Sequence, residues 1–217
     1  MTTSPETTSA PSRRRTVLVT GGNRGIGLAI ARRFQAQGDA VVIMSRSGED
    51  VEGIPAVTGD VTNSESVDAA FAKAAQIVGG PIEVVVANAG ILSWGFTWEL
   101  PEQQFTDVLD VNVTGTWKTL RATIPALLAT EADNRSIVVI SSVAGLKAMP
   151  MQAAYSASKY ALTGLAQTTS KELAPKNIRV NSVHPYAVDT PMGVADTSAM
   201  RIFEMGEYTR YFISMMD

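Results

Sequence analysis

Continuous apolar runs constrain this chain most. Residues 17–19 (VLV), 41–44 (VVIM), 84–87 (VVVA) and 137–140 (IVVI) hold no polar side chain, whereas a strand with one wet face alternates polar and apolar residues. Such runs read as strands buried on both faces. The strands are read at Thr16–Thr20, Ala40–Met44, Ile54–Thr58, Ile82–Ala87, Ser136–Ser141 and Arg179–His184. Between them, helical patterns cover Ile26–Gln37, Ser64–Val78, Glu102–Ala129 and Ala154–Ala174, with Ile26, Ile30 and Phe34 spaced at four. Strands that alternate with helices and need cover on both faces form an α/β fold, a parallel sheet between layers of helix. No internal repeat and no domain boundary is visible after residue 15.

Composition removes several kinds of chemistry. The chain has 18 basic and 21 acidic residues and no basic run suited to a phosphate backbone, so nucleic acid is not expected as a partner. It has no cysteine and a single histidine, His184. Disulfides, thiolate catalysis and cysteine-ligated metals are therefore unavailable, no metal site is expected, and a Ser-His-Asp triad has little to build on. The polar opening MTTSPETTSAPS, ending in Arg13, Arg14 and Arg15, reads as a disordered arm over 1–15. It has no apolar core like that of a secretion signal, and no run reaches membrane-spanning length, so a cytoplasmic protein is expected.

Ligands of such sheets bind beyond the carboxyl ends of the strands, where the strand order reverses. After the first strand comes TGGNRGIG, whose Gly21, Gly25 and Gly27 lead into a helix. A backbone without Cβ atoms can approach a pyrophosphate held at the helix N-terminus. The spacing is not that of G-x-G-x-x-G, and a merely tight strand-to-helix turn is the alternative. NAG (88–90) follows the fourth strand and Ser141-Ser142 the fifth. In AYSASKYALTG (154–164), Tyr155 and Lys159 lie four apart, on one face of a helix. Taken singly, Asn112 and Ser142 read equally well as local backbone caps, and Lys159 as a solvated charge.

TGGNRGIG, NAG, Asn112, Ser142, Tyr155 and Lys159, in this order and at these spacings, resemble the short-chain dehydrogenase/reductase family over residues 16 to about 192. RTVLVTGGNRGIGLAIARRF is similar to the 3-oxoacyl-acyl-carrier-protein reductases of that family. NAGILSWGFTWEL and VNSVHPYAVDTPM are closer to its carveol-type alcohol dehydrogenases. The resemblance implies a Rossmann-type doubly wound domain over 16–217 that interconverts a ketone and a secondary alcohol with a nicotinamide cofactor. The implied catalytic set is Asn112, Ser142, Tyr155 and Lys159. Tyr155 acts as acid/base, Ser142 bonds the substrate oxygen, Lys159 tunes the phenol and holds the nicotinamide ribose, and Asn112 carries a water toward Lys159. The implied cofactor contacts are Gly21, Asn23, Arg24, Gly25, Ile26 and Gly27 in the turn, Asp60 and Val61 at the adenine, and Asn88, Ala89 and Gly90 along the ribose and nicotinamide. Tyr155, Lys159, Pro185, Val188 and Thr190 complete the set.

Cofactor choice is a matter of charge. An NAD site carries an acid at the end of the second strand for the ribose 2′-hydroxyl. Here VVIMSRSG offers Arg46, with Arg24 in the glycine turn. Two guanidiniums and no acid suit a 2′-phosphate, so NADP(H) is expected. Two departures from the family pattern stand out. Tyr186 follows Pro185 where the family has glycine, and the sequence ends at Asp217, before the last helix and seventh strand of family members. They keep two alternatives open: a catalytically inactive nucleotide-binding module, or an incompletely folded truncated chain. Residues 190–217 match the family's substrate lid. There Met200, Phe203, Met205, Tyr208, Tyr211, Phe212, Met215 and Met216 supply surface for a small hydrophobic carbonyl or alcohol, acyl-carrier-bound or free, or else core or interface positions. Val113, Trp117 and Leu120 on the long helix mark an interface, and by resemblance the protein is a homodimer or homotetramer.

Overall fold

The computed structural model describes residues 14–186 and 188–192. Most of the arm read at 1–15, and the part of the lid beyond Met192 with all eight of its apolar residues, lie outside the described residues. Six parallel strands form one sheet in the order β3-β2-β1-β4-β5-β6: β1 Thr16–Thr20, β2 Ala40–Ser45, β3 Ala56–Thr58, β4 Val84–Ala87, β5 Ser136–Ile140 and β6 Arg179–Val183. The order reverses between β1 and β4, which opens a crevice at their carboxyl ends.

The helices are α1 Gly25–Ala36, α2 Ser64–Val78, α3 Glu102–Leu109, α4 Gly115–Ala129 and α5 Ala153–Leu173. Val67, Ala70 and Ala74 of α2, Leu120 and Leu127 of α4, and Leu162, Ala166 and Leu173 of α5 bury one face of the sheet against Leu18, Val42, Val85 and Ile137. On the other face, Ala31 of α1, with the partly buried Leu28, Ile30 and Phe34, packs on Val17, Val19, Ile43 and Val86. Among the described residues that face thins out beyond α1. Along β6 only Val180 is fully buried, while Val183 is 45% exposed.

Three sequence expectations change. Ile54 is fully buried but precedes β3: it closes a tight turn with Val51, the two exchanging both backbone bonds, and Pro55 has no N–H to extend the ladder. Arg15 is not a solvated arm residue. Its guanidinium bonds Asp39 (Nη2–Oδ2 2.5 Å, Nε–Oδ1 3.0 Å) and stacks over Phe34. The long helix read at 102–129 is broken by a π turn at Asp110–Thr114, so α3 and α4 are separate elements. Of the interface residues, Leu120 belongs to the core (2% exposed), whereas Trp117 is 49% exposed.

Candidate active site

The crevice is pinned from both sides by short polar contacts. The buried Thr20 hydroxyl accepts the backbone N–H groups of Asn88 (3.0 Å) and Ala89 (3.1 Å). Asn88 Nδ2 donates back to the carbonyls of Thr20 (2.9 Å) and Gly21 (3.1 Å). That amide therefore fastens the end of β4 to the glycine turn. Gly27 makes the arrangement possible, since a Cβ there would stand 2.4 Å from Asn88 Nδ2 and from the Gly21 carbonyl. Asn23 and the exposed Arg24 occupy the turn, and Ile26 the first turn of α1. No side chain caps α1 at Arg24 and no acid lies in its first turn, so its N-terminal amides face the crevice uncompensated.

The loop after β6 returns across this turn. A side chain at Gly25 would touch Thr190 at 3.5 Å, and Thr190 Oγ1 donates to the Val188 carbonyl (3.4 Å). A cleft of about 660 Å³ runs along α1 from Gly25 and Ile26 to Gln37, bounded by Pro185, Val188 and Thr190. Tyr186 is 73% exposed, and its backbone is not left-handed; among the described residues the left-handed non-glycine positions are Glu52, Met151 and Asn177. A side chain in place of the family's glycine is thus accommodated by pointing outward.

Beyond β2, Arg46 is exposed. The Asp60 carboxylate accepts the Thr62 amide (2.9 Å) and hydroxyl (2.8 Å). These two bonds, with smaller help from the charges of Arg46 and Lys118, hold its pKa below the usual aspartate value. The Val61 side chain is buried against Gly115 of α4, so only its backbone can reach a ligand.

Tyr155 and Lys159 sit one turn apart on α5. Tyr155 is half-buried, and Lys159 Nζ lies 5.4 Å from its ring centroid. Lys159 is 4% exposed, and its amine donates to the carbonyl of Ile140, the last residue of β5 (2.9 Å). Burial pushes this amine from 10.5 down to about 8, which leaves about nine molecules in ten protonated at pH 7. Ser142 is the second residue beyond β5. Its hydroxyl accepts the Ala144 amide (3.1 Å) and donates weakly to the Pro185 carbonyl (3.4 Å). The short turn after it (Val143–Gly145) presses on α5 beside Lys159, where a Cβ on Gly145 would be 2.5 Å from the Lys159 carbonyl.

Asn112, in the π turn, is fully buried. It accepts from the Ile91 amide (2.8 Å) and donates to the Ile91 carbonyl (3.0 Å) and to Ser158 Oγ (2.9 Å), and Ser158 donates to the Tyr155 carbonyl (2.7 Å). The side chain is committed to tying the loop after β4 to the first turn of α5. Both hydrogens of the Asn112 amide are taken, so its side chain has no donor left for a water. Thr20, Ser158 and the Ile140 carbonyl escape the sequence reading, because none has a spacing signature.

A dinucleotide fits these residues. Gly21, Gly25 and Gly27 bring backbone without Cβ atoms to the turn, α1 presents uncapped amides for phosphate, and Asp60 and Asn88 are held by their own hydrogen bonds. A profile of the short chain dehydrogenase family matches residues 15–201. The chain belongs to this family. Among relatives, an uncharacterised NAD-dependent oxidoreductase of Mycobacterium tuberculosis is 57% identical over 114 residues, 52% of this chain but only 41% of that protein, so the match spans less than half its length. The 3-oxoacyl-acyl-carrier-protein reductase of Mycobacterium avium is 38% identical over 82% of this chain and 69% of its own. The (-)-trans-carveol dehydrogenase of Rhodococcus erythropolis is 33% identical over 86% of this chain and 75% of its own. The aldohexose dehydrogenase of Thermoplasma acidophilum superposes with a TM-score of 0.79 at 32% identity, covering 88% of this chain and 73% of that one. In this fold Ser142 lies two residues beyond β5, and the Lys159 amine of α5 reaches the Ile140 carbonyl at the end of that strand.

Proposed function

We propose that this short-chain dehydrogenase interconverts a ketone and a secondary alcohol with NADP(H), Tyr155 serving as the acid/base. The observation that carries the reading is the Lys159 amine held 5.4 Å from the Tyr155 ring by the Ile140 carbonyl. A bound dihydronicotinamide supplies the hydride that reduces the carbonyl carbon, and its oxidised form accepts one in the reverse direction. In reduction, Tyr155 gives its phenolic proton to the carbonyl oxygen, and the adjacent ammonium favours the phenolate left behind. The Ser142 hydroxyl exchanges its long bond to Pro185 for one to the same oxygen. Gly21, Asn23, Gly25, Ile26 and Gly27 hold the pyrophosphate at α1. Asp60 and the Val61 backbone hold the adenine, Ala89 and Gly90 line the ribose, and Pro185, Val188 and Thr190 hold the nicotinamide.

Arg46 and Arg24, exposed at the rim with no acid at the end of β2, support a 2′-phosphate. The name of the Mycobacterium tuberculosis relative favours NAD as the second reading. The substrate is an apolar carbonyl compound of the 3-oxoacyl or cyclic-alcohol type, as the two groups of relatives suggest, and Trp117 belongs to a homo-oligomer interface. Dissociation constants for NADPH and NADH, followed by a panel of 3-oxoacyl thioesters and cyclic ketones, test the reading. Tighter NADPH and turnover of at least one carbonyl support it. NADPH binding with no oxidation across the panel identifies an inactive nucleotide-binding module instead.

A further inference from the structure

We infer that His184 is a positioning residue for Ser142, acting through an Nδ1–H bond to the Ser142 main chain. The inference rests on the reading of Ser142 as donor to the substrate oxygen. His184 is the first residue past β6 and the single histidine of the chain. Its Nδ1 lies 3.0 Å from the Ser142 carbonyl oxygen and its Nε2 lies 2.9 Å from Ser182 Oγ.

A carbonyl oxygen only accepts, so Nδ1 carries the hydrogen. A neutral imidazole has one N–H, so Nε2 is bare and the Ser182 hydroxyl donates to it. Ser182 thereby selects the tautomer that His184 needs. The bond lies where the backbone ladder fails. Ser141 N–H bonds the Val183 carbonyl (2.8 Å) and Val143 N–H the Pro185 carbonyl (3.0 Å), both running from β5 toward β6. Residue 185, being proline, has no N–H to send back. The imidazole supplies a donor in the return direction.

The contact reaches Ser142 and nothing else in the cluster. Ser142 is fully extended (φ −167°, ψ 163°), and its hydroxyl has a 3.1 Å bond to Ala144 and a 3.4 Å bond to Pro185. Those contacts hold the hydroxyl but not the peptide plane behind it. With the carbonyl held by His184, the main chain that carries the Ser142 side chain is fixed, so the hydroxyl starts from a set position relative to an incoming oxygen.

Long-range proton–nitrogen NMR of untagged protein labelled with 15N-histidine reports a single ring. In the neutral ring the expected state is Nδ1–H with bare Nε2, and an Nε2–H tautomer overturns the inference. In kinetics, His184→Asn places an amide N–H near the Nδ1 position and retains kcat within about threefold, whereas His184→Phe loses both ring hydrogen bonds, the one to the Ser142 carbonyl among them, and lowers kcat about tenfold. Cofactor dissociation constants are unchanged in both. Equal kcat for wild type and His184→Phe overturns the inference. Ser142→Ala with undiminished turnover overturns it from beneath, by removing the role of Ser142, and is distinguishable because the tautomer then remains as expected.

Discussion

Lys159 makes the folded protein less stable than its shape would allow, and pH reveals by how much. Its amine is 4% exposed, has the Ile140 carbonyl as partner, and is driven by burial from 10.5 to about 8. A depressed pKa means that the unfolded chain holds this proton more tightly than the native one, so the group lowers stability below pH 8, and the loss is recovered as pH rises from about 8 to 10.5. A shift of this size corresponds to about 3 kcal/mol in full, of which about 1 kcal/mol returns between pH 7 and pH 9. Lys159→Met keeps the volume and removes the titration. Urea unfolding of both proteins without cofactor, at pH 7 and pH 9, isolates the effect from every other titrating group. The wild type gains about 1 kcal/mol on the variant over that interval. Parallel stabilities at the two pH values would refute the destabilising buried amine, and a wild type that loses ground would reverse its sign.

Three further outcomes follow from close contacts. Gly27→Ala drives a methyl group into Asn88 Nδ2 and the Gly21 carbonyl, so NADPH affinity falls at least about tenfold, by roughly the worth of one or two hydrogen bonds, as titration by fluorescence would show. Asn112→Ala leaves the part-buried backbone groups of Ile91 and the buried Ser158 hydroxyl without this partner, at a cost of about 2–4 kcal/mol in denaturant unfolding; a loss below 1 kcal/mol contradicts the clamp. Trp117→Glu, at a side chain 49% exposed on α4, shifts the protein to monomer in sedimentation velocity if that face is the interface, with no change in its far-ultraviolet circular dichroism.

The sheet was legible because four of its strands are buried on both faces, and double burial leaves an unbroken apolar run. Ile54 shows the limit of that signal. It is as buried as any strand residue, but Glu52 and Gly53 take left-handed backbone and Pro55 withholds a donor, so burial came without a ladder. The π turn was invisible for another reason. One extra residue inside a helix shifts the apolar period too little to notice, yet it carries Asn112 inward, and such bulges favour functional positions. Tyr155 and Lys159 could be paired from their spacing alone. The anchor of the amine on β5 could not, since a main-chain carbonyl leaves no mark in a sequence. The same holds for His184, whose partner is also a main-chain carbonyl.

Proton transfer from Tyr155 is tested most directly by comparing wild type with Tyr155→Phe on one turned-over ketone, with NADPH binding measured on the same samples. The account predicts a dissociation constant within about threefold of wild type and a kcat lowered by about 10²–10⁴, the span of a lost general acid. A variant that binds NADPH and reduces the ketone at the wild-type rate would contradict it.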